Sequence, residues 1–292
     1  MRIFLRKILA NILDKESKQK LKELEYKTRK QLIKKLPAIS EEKFKKILVK
    51  DLGIKKGDNL FIHASLDMVN TDLTPLQILN ILLDIVGEKG SVSVPTFIRY
   101  GSKEWMEMPK NFDIKKTPSG MGIFSERVRR HKFSYRSIHP TKSVASIGPI
   151  AEEITSEHHL SPLPFGEKSP FYKLMKYHNV KVIGLGAPMS YLSMVHVVED
   201  INIDIYPVNI NEEKVYEKRC ITSNKENILV STYVHNLSIL AKANPEKFVK
   251  KYMKEDQYKI SNHYLTPFFV VNGPQLLEQL NIELLNGNTI YD

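Results

Sequence analysis

His196 and Glu199, in the stretch YLSMVHVVED, are an imidazole and a carboxylate three residues apart. On a helix that spacing puts both side chains on one face, where the carboxylate can orient the ring and support its protonated form. An imidazole with a free pKa near ~6.5 can take a proton around neutral pH, which suits general-base work. The competing reading is a satisfied core histidine, because Leu192, Val195, Val197 and Val198 make the same helix mostly apolar.

Two polar loops stand upstream. RSIHPTKS places Arg136, Ser137, His139, Thr141 and Ser143 within eight residues, with Pro140 stiffening the chain. Pre-organised donors and a cation suit phosphates or sugar hydroxyls, although His139 can equally hydrogen-bond the loop to itself. TPSGMG reads as a loop entering a helix, with Thr117 or Ser119 as caps and Gly120 and Gly122 permitting close backbone approach.

The chain has 292 residues, 42% of them hydrophobic and 26% charged, as in ordinary soluble proteins. One cysteine, Cys220, excludes an internal disulfide framework and fits a reducing compartment. No cysteine–histidine cluster has zinc-ligand spacing, so no metal is expected. With no apolar run long enough to span a bilayer and no signal-peptide core, the expected location is the cytoplasm. The net charge of +11 is uneven: residues 1–50 hold 16 Lys/Arg against 6 Asp/Glu, whereas the remainder holds 28 against 27. The basicity therefore says nothing about a substrate.

The elements that must position these residues follow from periodicity. Phe4, Leu5, Ile8, Leu9, Ile12 and Leu13 recur at helical spacing, and a charged helical run extends from 15 to about 35, before Pro37. Residues 1–38 read as a basic helical extension, packed on the main domain or on a second copy in a homo-oligomer. Peripheral membrane contact through residues 1–36 is the sharper alternative. Nucleic acid is not expected as a partner, for want of aromatic interleaving or a motif. Ser40 caps a short helix closed by Gly53. Strands follow at 59–63, 91–94, 143–147 and 180–185, and helices at 75–86, 121–131 and 192–201. A long loop covers 95–118, and paired strands within 214–236 add antiparallel members to the sheet. This alternation predicts one layered α/β/α domain over 39–292 with a mixed, largely parallel sheet.

Six pieces in order, GDNLFIHASL (57–66), PTF (95–97), FDIKKTPSGMG (112–122), RSIHPTKSVASIGP (136–149), PFGEKSPF (164–171) and HxxE (196–199), resemble the aminoglycoside 3-N-acetyltransferase family. The resemblance implies an acetyl-CoA-dependent N-acetyltransferase with His196 as general base and Glu199 as its partner. It implies cofactor contacts from His63, Ala64, Ser65 and Leu66, with Ala64 where the family usually has serine, and from Arg136, Ser137, His139, Thr141 and Ser143. Thr96, Asp113 and Glu126 are implied at the substrate cleft. One departure is the stretch NILVSTYVHN (227–236), which carries no acid where antibiotic-modifying members commonly have one. That absence, with the basic arm, favours a nucleotide- or carrier-linked amino sugar for surface polysaccharide as the small-molecule substrate. An aminoglycoside antibiotic is the alternative, and a non-catalytic scaffold on the same fold is the third reading.

Overall fold

The computed structural model describes residues 15–292. The apolar run from Phe4 to Leu13 lies outside the described residues. Among the described residues ten strands form two sheets: β1 (Asn59–Ala64), β2 (Ser91–Pro95), β3 (Phe112–Asp113), β4 (Tyr135–Arg136), β5 (Val144–Ile147), β6 (Val180–Leu185), β7 (Tyr216–Ile221), β8 (Asn227–Thr232), β9 (Tyr258–His263) and β10 (Thr266–Asn272). The large sheet has the order β4-β5-β2-β1-β6-β10-β9, and the small one β3-β7-β8. Parallel pairing holds the centre, β2–β1–β6, while β5, β4, β10 and β9 flank it antiparallel.

Alternation along the central strands explains why helices cover both faces. Leu60 and Ile62 of β1 join Val92 and Val94 in one core, against the helix Pro75–Val86. Phe61 points the other way, into a second core with Phe171, Val182 and Leu276. His63 continues the Phe61 face, edge-on to its ring at 5.3 Å. The strand therefore carries its histidine out of the core toward the sheet's carboxyl edge, where α/β folds bind ligands.

Local chemistry sets the boundaries. Thr74 and Gln77 close a capping box on the helix Pro75–Val86, with Pro75 in its first turn. Ser40 accepts from the Lys43 amide at 3.3 Å, and Gly53, at φ +66°, ends the following turn. Neither Thr117 nor Ser119, the caps read from sequence, caps the helix Gly122–Arg129: its N-cap is Met121, with no side-chain cap. Ser119 Oγ instead accepts from the Met121 amide at 3.0 Å, one step too early.

Three further expectations change. The loop over 95–118 contains the helix Ser102–Glu107 and β3, because Trp105 and Phe112 bury themselves in a small third core with Cys220 and Val230. The hairpin β7–β8 forms as read but joins β3 rather than the large sheet. The helix over 192–201 splits into a 3₁₀ turn, Ser193–His196, and an α-helix, Val197–Ile201.

The charged run 15–35 is helical over Lys15–Ile33 and docks on the main body. Ile33 is buried, Tyr26 donates to Asp67, Lys30 lies 3.1 Å from the same carboxylate, and Arg29 donates to the Leu265 carbonyl at 2.6 Å. Among the described residues no helix is long and apolar enough to cross a membrane.

Candidate active site

The break in the 192–201 helix places the catalytic candidates. His196 ends the 3₁₀ turn and is the N-cap of the helix Val197–Ile201, which makes Glu199 its N3 residue. The N3 carboxylate reaches back to the cap, and Glu199 Oε2 lies 2.9 Å from His196 Nδ1. The other oxygen, Oε1, accepts from the Tyr291 hydroxyl at 2.7 Å. Glu199 is buried, at 1% side-chain exposure, whereas the His196 ring keeps 12%. A carboxylate at Nδ1 holds that nitrogen protonated, which leaves Nε2 as the proton acceptor. Burial pushes the neighbouring Asp200 carboxyl up to about 7, the nearby Glu199 charge adds to the rise, and the Phe165 amide bond at 2.6 Å opposes it.

The segment carrying His196 contributes Ser193 to one cavity and Glu199 to another. One, of about 620 Å³, is lined by His63, Ala64, Ser65 and Leu66 from the end of β1, by Phe97 and Gly120 opposite, and by Ser193. Burial lowers the His63 imidazole to about 3, so the ring is neutral, and its Nε2 has no hydrogen-bond partner among the described residues. Gly120 is required by contact: a Cβ there would lie 2.5 Å from the Arg99 Cα, where the TPSGMG loop donates its Gly120 amide to the Phe97 carbonyl. Gly122 adopts φ +86°, open to glycine without strain. The second cavity, of about 460 Å³, has Glu199 at its floor and Asn209, Glu212, Glu213 and Tyr233 around it.

Other expected site residues are placed differently. Arg136 spends its guanidinium inside the protein, on the carbonyls of Thr117 (2.6 Å), Ile114 (3.1 Å) and Thr96 (3.1 Å) and on the hydroxyls of Thr96 and Ser143 (3.2 Å each). Thr96 and Ser143 are fully engaged by this brace and by each other at 2.9 Å, so neither faces a cavity. Ser137 is buried between His158 Nδ1 and the Val144 amide, 2.9 Å from each. His139 holds its own loop: Nδ1 accepts from the amides of Thr141 (3.3 Å) and Lys142 (2.9 Å), which puts the proton on Nε2 for Thr232 at 3.2 Å. Thr141 is buried beside it.

Of the two acids expected at the substrate, Asp113 accepts from the amides of Lys115 (2.8 Å) and Lys116 (2.9 Å) within its own turn. Glu126 is forked by Arg129, at 2.5 and 2.8 Å, and accepts from the Ser119 amide at 2.9 Å. Burial acts to raise its carboxyl, but Arg129 and the Ser119 amide outweigh it and the net shift is downward. Both carboxylates brace loops and line neither cavity.

The acids that do line the cleft, Glu212 and Glu213, come from NINEEK (209–214) and were not singled out from sequence. They supply the negative charge that 227–236 lacks, which removes the main ground for preferring a polysaccharide amino sugar. Tyr291 was missed as well, because a hydroxyl 92 residues from its partner leaves no spacing signal.

Comparison with known proteins agrees with this geometry. The aminoglycoside 3-N-acetyltransferase family model matches residues 61–265. Aminoglycoside N(3)-acetyltransferase IX of Micromonospora chalcea is 26% identical over 191 residues, which cover 58% of this chain and 67% of that protein. The match spans 60% of aminoglycoside N(3)-acetyltransferase III of Serratia marcescens, so the chain aligns with about two thirds or less of these curated relatives. Among solved structures, AAC-VIa bound to sisomicin has a TM-score of 0.71 at 19% identity, covering 87% of this chain and 99% of that one. AAC-IIIb with CoASH has a TM-score of 0.69 at 21% identity, covering 87% and 98%. These likenesses establish the fold. Since the family model takes in the strand end at His63, the His196–Glu199 pair and well over half of the chain, this protein belongs to the aminoglycoside 3-N-acetyltransferase family, a family of N-acetyltransferases.

Proposed function

We propose that this chain transfers the acetyl group of acetyl-CoA to an amine of an aminoglycoside, with His196 as general base and Glu199 as its orienting carboxylate. The observation that carries the reading is the His196–Glu199–Tyr291 relay, on a segment that contributes to two cavities of different character. The first is mostly apolar, with the orphaned His63 Nε2 and the β1 end suited to the amides and thioester of a pantetheine arm. The second has carboxylates suited to an oligocationic sugar. A fold neighbour carrying CoASH and another carrying sisomicin support the two assignments.

Acetyl-CoA supplies an activated acetyl carbon. His196 Nε2 removes a proton from the attacking amine, and Glu199 stabilises the imidazolium that results. Ser65 lines the cavity in which that carbon would sit and can offer its hydroxyl, while its amide is spent on the Leu185 carbonyl at 2.9 Å. Thr96, Arg136, Ser137, His139, Thr141 and Ser143 act by bracing the loops around both cavities, and Asp113 and Glu126 do the same for TPSGMG.

The test is thiol release from acetyl-CoA against a panel of aminoglycosides, simple amino sugars and amino-sugar nucleotides. Turnover with sisomicin and related polyamines is expected. Turnover confined to the nucleotides would restore the biosynthetic reading.

Charge in the second cavity gives a sharper expectation. Glu212 shares its carboxylate with Lys103 at 2.9 Å and Tyr216 at 3.0 Å, whereas Glu213 is exposed with no ion-pair partner among the described residues. Glu213→Lys should raise KM for an aminoglycoside by about tenfold, leave kcat within about twofold, and lose its effect as salt rises. An unchanged KM at low ionic strength would remove Glu213 from recognition.

A further inference from the structure

The RSIHPTKS loop, whose other polar side chains are consumed internally, presents one group outward. The Lys142 amide is pinned to His139 Nδ1 at 2.9 Å, and the His139 ring is pinned in turn to Thr232 of β8. This fixes the lysine backbone, and its side chain crosses the face of Phe97, with Nζ 4.8 Å from the ring centroid. Phe97 is itself a wall of the 620 Å³ cavity. Lys142 is half-buried, and its ammonium has no carboxylate and no hydrogen-bond acceptor among the described residues. A half-buried cation held on the face of an aromatic cavity wall, without a counter-ion, is costly unless something negative arrives there.

The direction from Lys142 to the base is traced by rings and by charge. Phe97, Phe171 and Phe165 pack in series as tilted rings at 6.1 and 4.4 Å, and Phe165 lies 5.4 Å from the His196 ring. His235 lies 5.6 Å from both Phe165 and His196. Burial first, and then the Lys142 charge, hold His235 well below the ordinary histidine value, and the His196 charge adds to that. His139 is held down by burial, by His158, and by the same lysine. The titratable groups facing Lys142 are thus the imidazoles of its own loop and of the segment after β8, with His196 beyond. Glu199 and Asp200 lie behind that ring.

We infer that Lys142 is a further catalytic residue, whose ammonium donates a hydrogen bond to the oxygen of the acetyl carbonyl as it becomes an oxyanion. The inference rests on the acetyl-transfer reading above. In the step, the amine nitrogen bonds to the carbonyl carbon and the π pair moves onto oxygen, facing Lys142. His196 takes the amine proton. Collapse restores the C=O bond and breaks the C–S bond, and the departing thiolate takes the proton back from the imidazolium. Lys142 keeps its protons throughout, so it must be charged to act.

Desolvation lowers the Lys142 ammonium to about 8. The rate should therefore fall on the alkaline side as pH rises through that value. Lys142→Met keeps the unbranched apolar stem of the side chain and removes the donor. It is expected to lower kcat by on the order of 100-fold, with KM for acetyl-CoA and the calorimetric affinity for CoA changed less than threefold. The alkaline limb should vanish from what activity remains. Lys142→Arg should recover at least a tenth of the wild-type kcat and carry the limb above pH 10. A merely structural lysine would move stability and CoA affinity without touching the alkaline limb. An active wild-type enzyme whose Lys142→Met variant keeps kcat within threefold, or keeps the limb near 8, overturns this inference alone. A wild-type chain inert toward every amine overturns the acetyl-transfer reading with it.

Discussion

Replacing His196 by alanine is expected to lower kcat/KM for acetyl transfer by on the order of 1,000-fold, with the affinity for CoA unchanged. The separation follows from the geometry. The first cavity takes its walls from the end of β1, from Phe97 and from the Gly120–Ser125 segment, and His196 is not among them. Removing the imidazole therefore deletes the acceptor for the amine proton and leaves the cofactor walls in place. What survives should come from amines already deprotonated in solution, so the variant should gain activity with rising pH up to the Lys142 limb. Steady-state thiol release and calorimetric titration with CoA measure the two quantities. A His196→Ala variant retaining more than a tenth of wild-type activity would mean that the base lies elsewhere. His235, 5.6 Å away, would then be the first group to test.

That His196 was legible in the sequence, and much of its surroundings were not, has a physical basis. The pair at 196 and 199 is a local signal. Three residues are one turn, and the N-cap-to-N3 relation survives the replacement of an α-helix by a 3₁₀ turn. The strand Asn59–Ala64 was equally local, since Leu60 and Ile62 alternate with Phe61 and His63, and alternation puts His63 on the Phe61 face at the strand's carboxyl end. The polar loop at 136–143 misled for the opposite reason. Its composition advertises donors, but Arg136, Ser137, His139 and Ser143 satisfy backbone carbonyls, amides and one another, and only a three-dimensional hydrogen-bond account shows that Lys142 alone is left over. Asp113 and Glu126 behave likewise, each turned onto its own loop. The small sheet was hidden because two-residue β3 has no periodicity to detect, and β9 and β10 because YKISNH and TPFFVVN lack strict alternation of polar and apolar residues.

Glu199 offers the second large effect and the closer test of how the relay works. Glu199→Ala should lower kcat by about 100-fold or more, because the ring loses its orienting acceptor and the half-buried Tyr291 hydroxyl loses its own. Glu199→Gln should be milder, in the range of ten- to 100-fold. A glutamine can turn its carbonyl oxygen toward His196 Nδ1–H, provided that its amide can donate to Tyr291, whose hydroxyl can reverse from donor to acceptor. The correct tautomer of His196 then persists, and the loss is confined to stabilisation of the imidazolium. Tyr291→Phe in the glutamine background removes the group that accepts this amide. The side chain is then as well satisfied with its amide toward Nδ1, which would draw the proton to Nε2 and block the base. The double variant should therefore fall below the product of the single effects, whereas Tyr291→Phe alone, with Glu199 charged, should cost only about two- to fivefold. A strictly multiplicative double variant would show that Tyr291 packs against Glu199 without governing which nitrogen of His196 carries the proton.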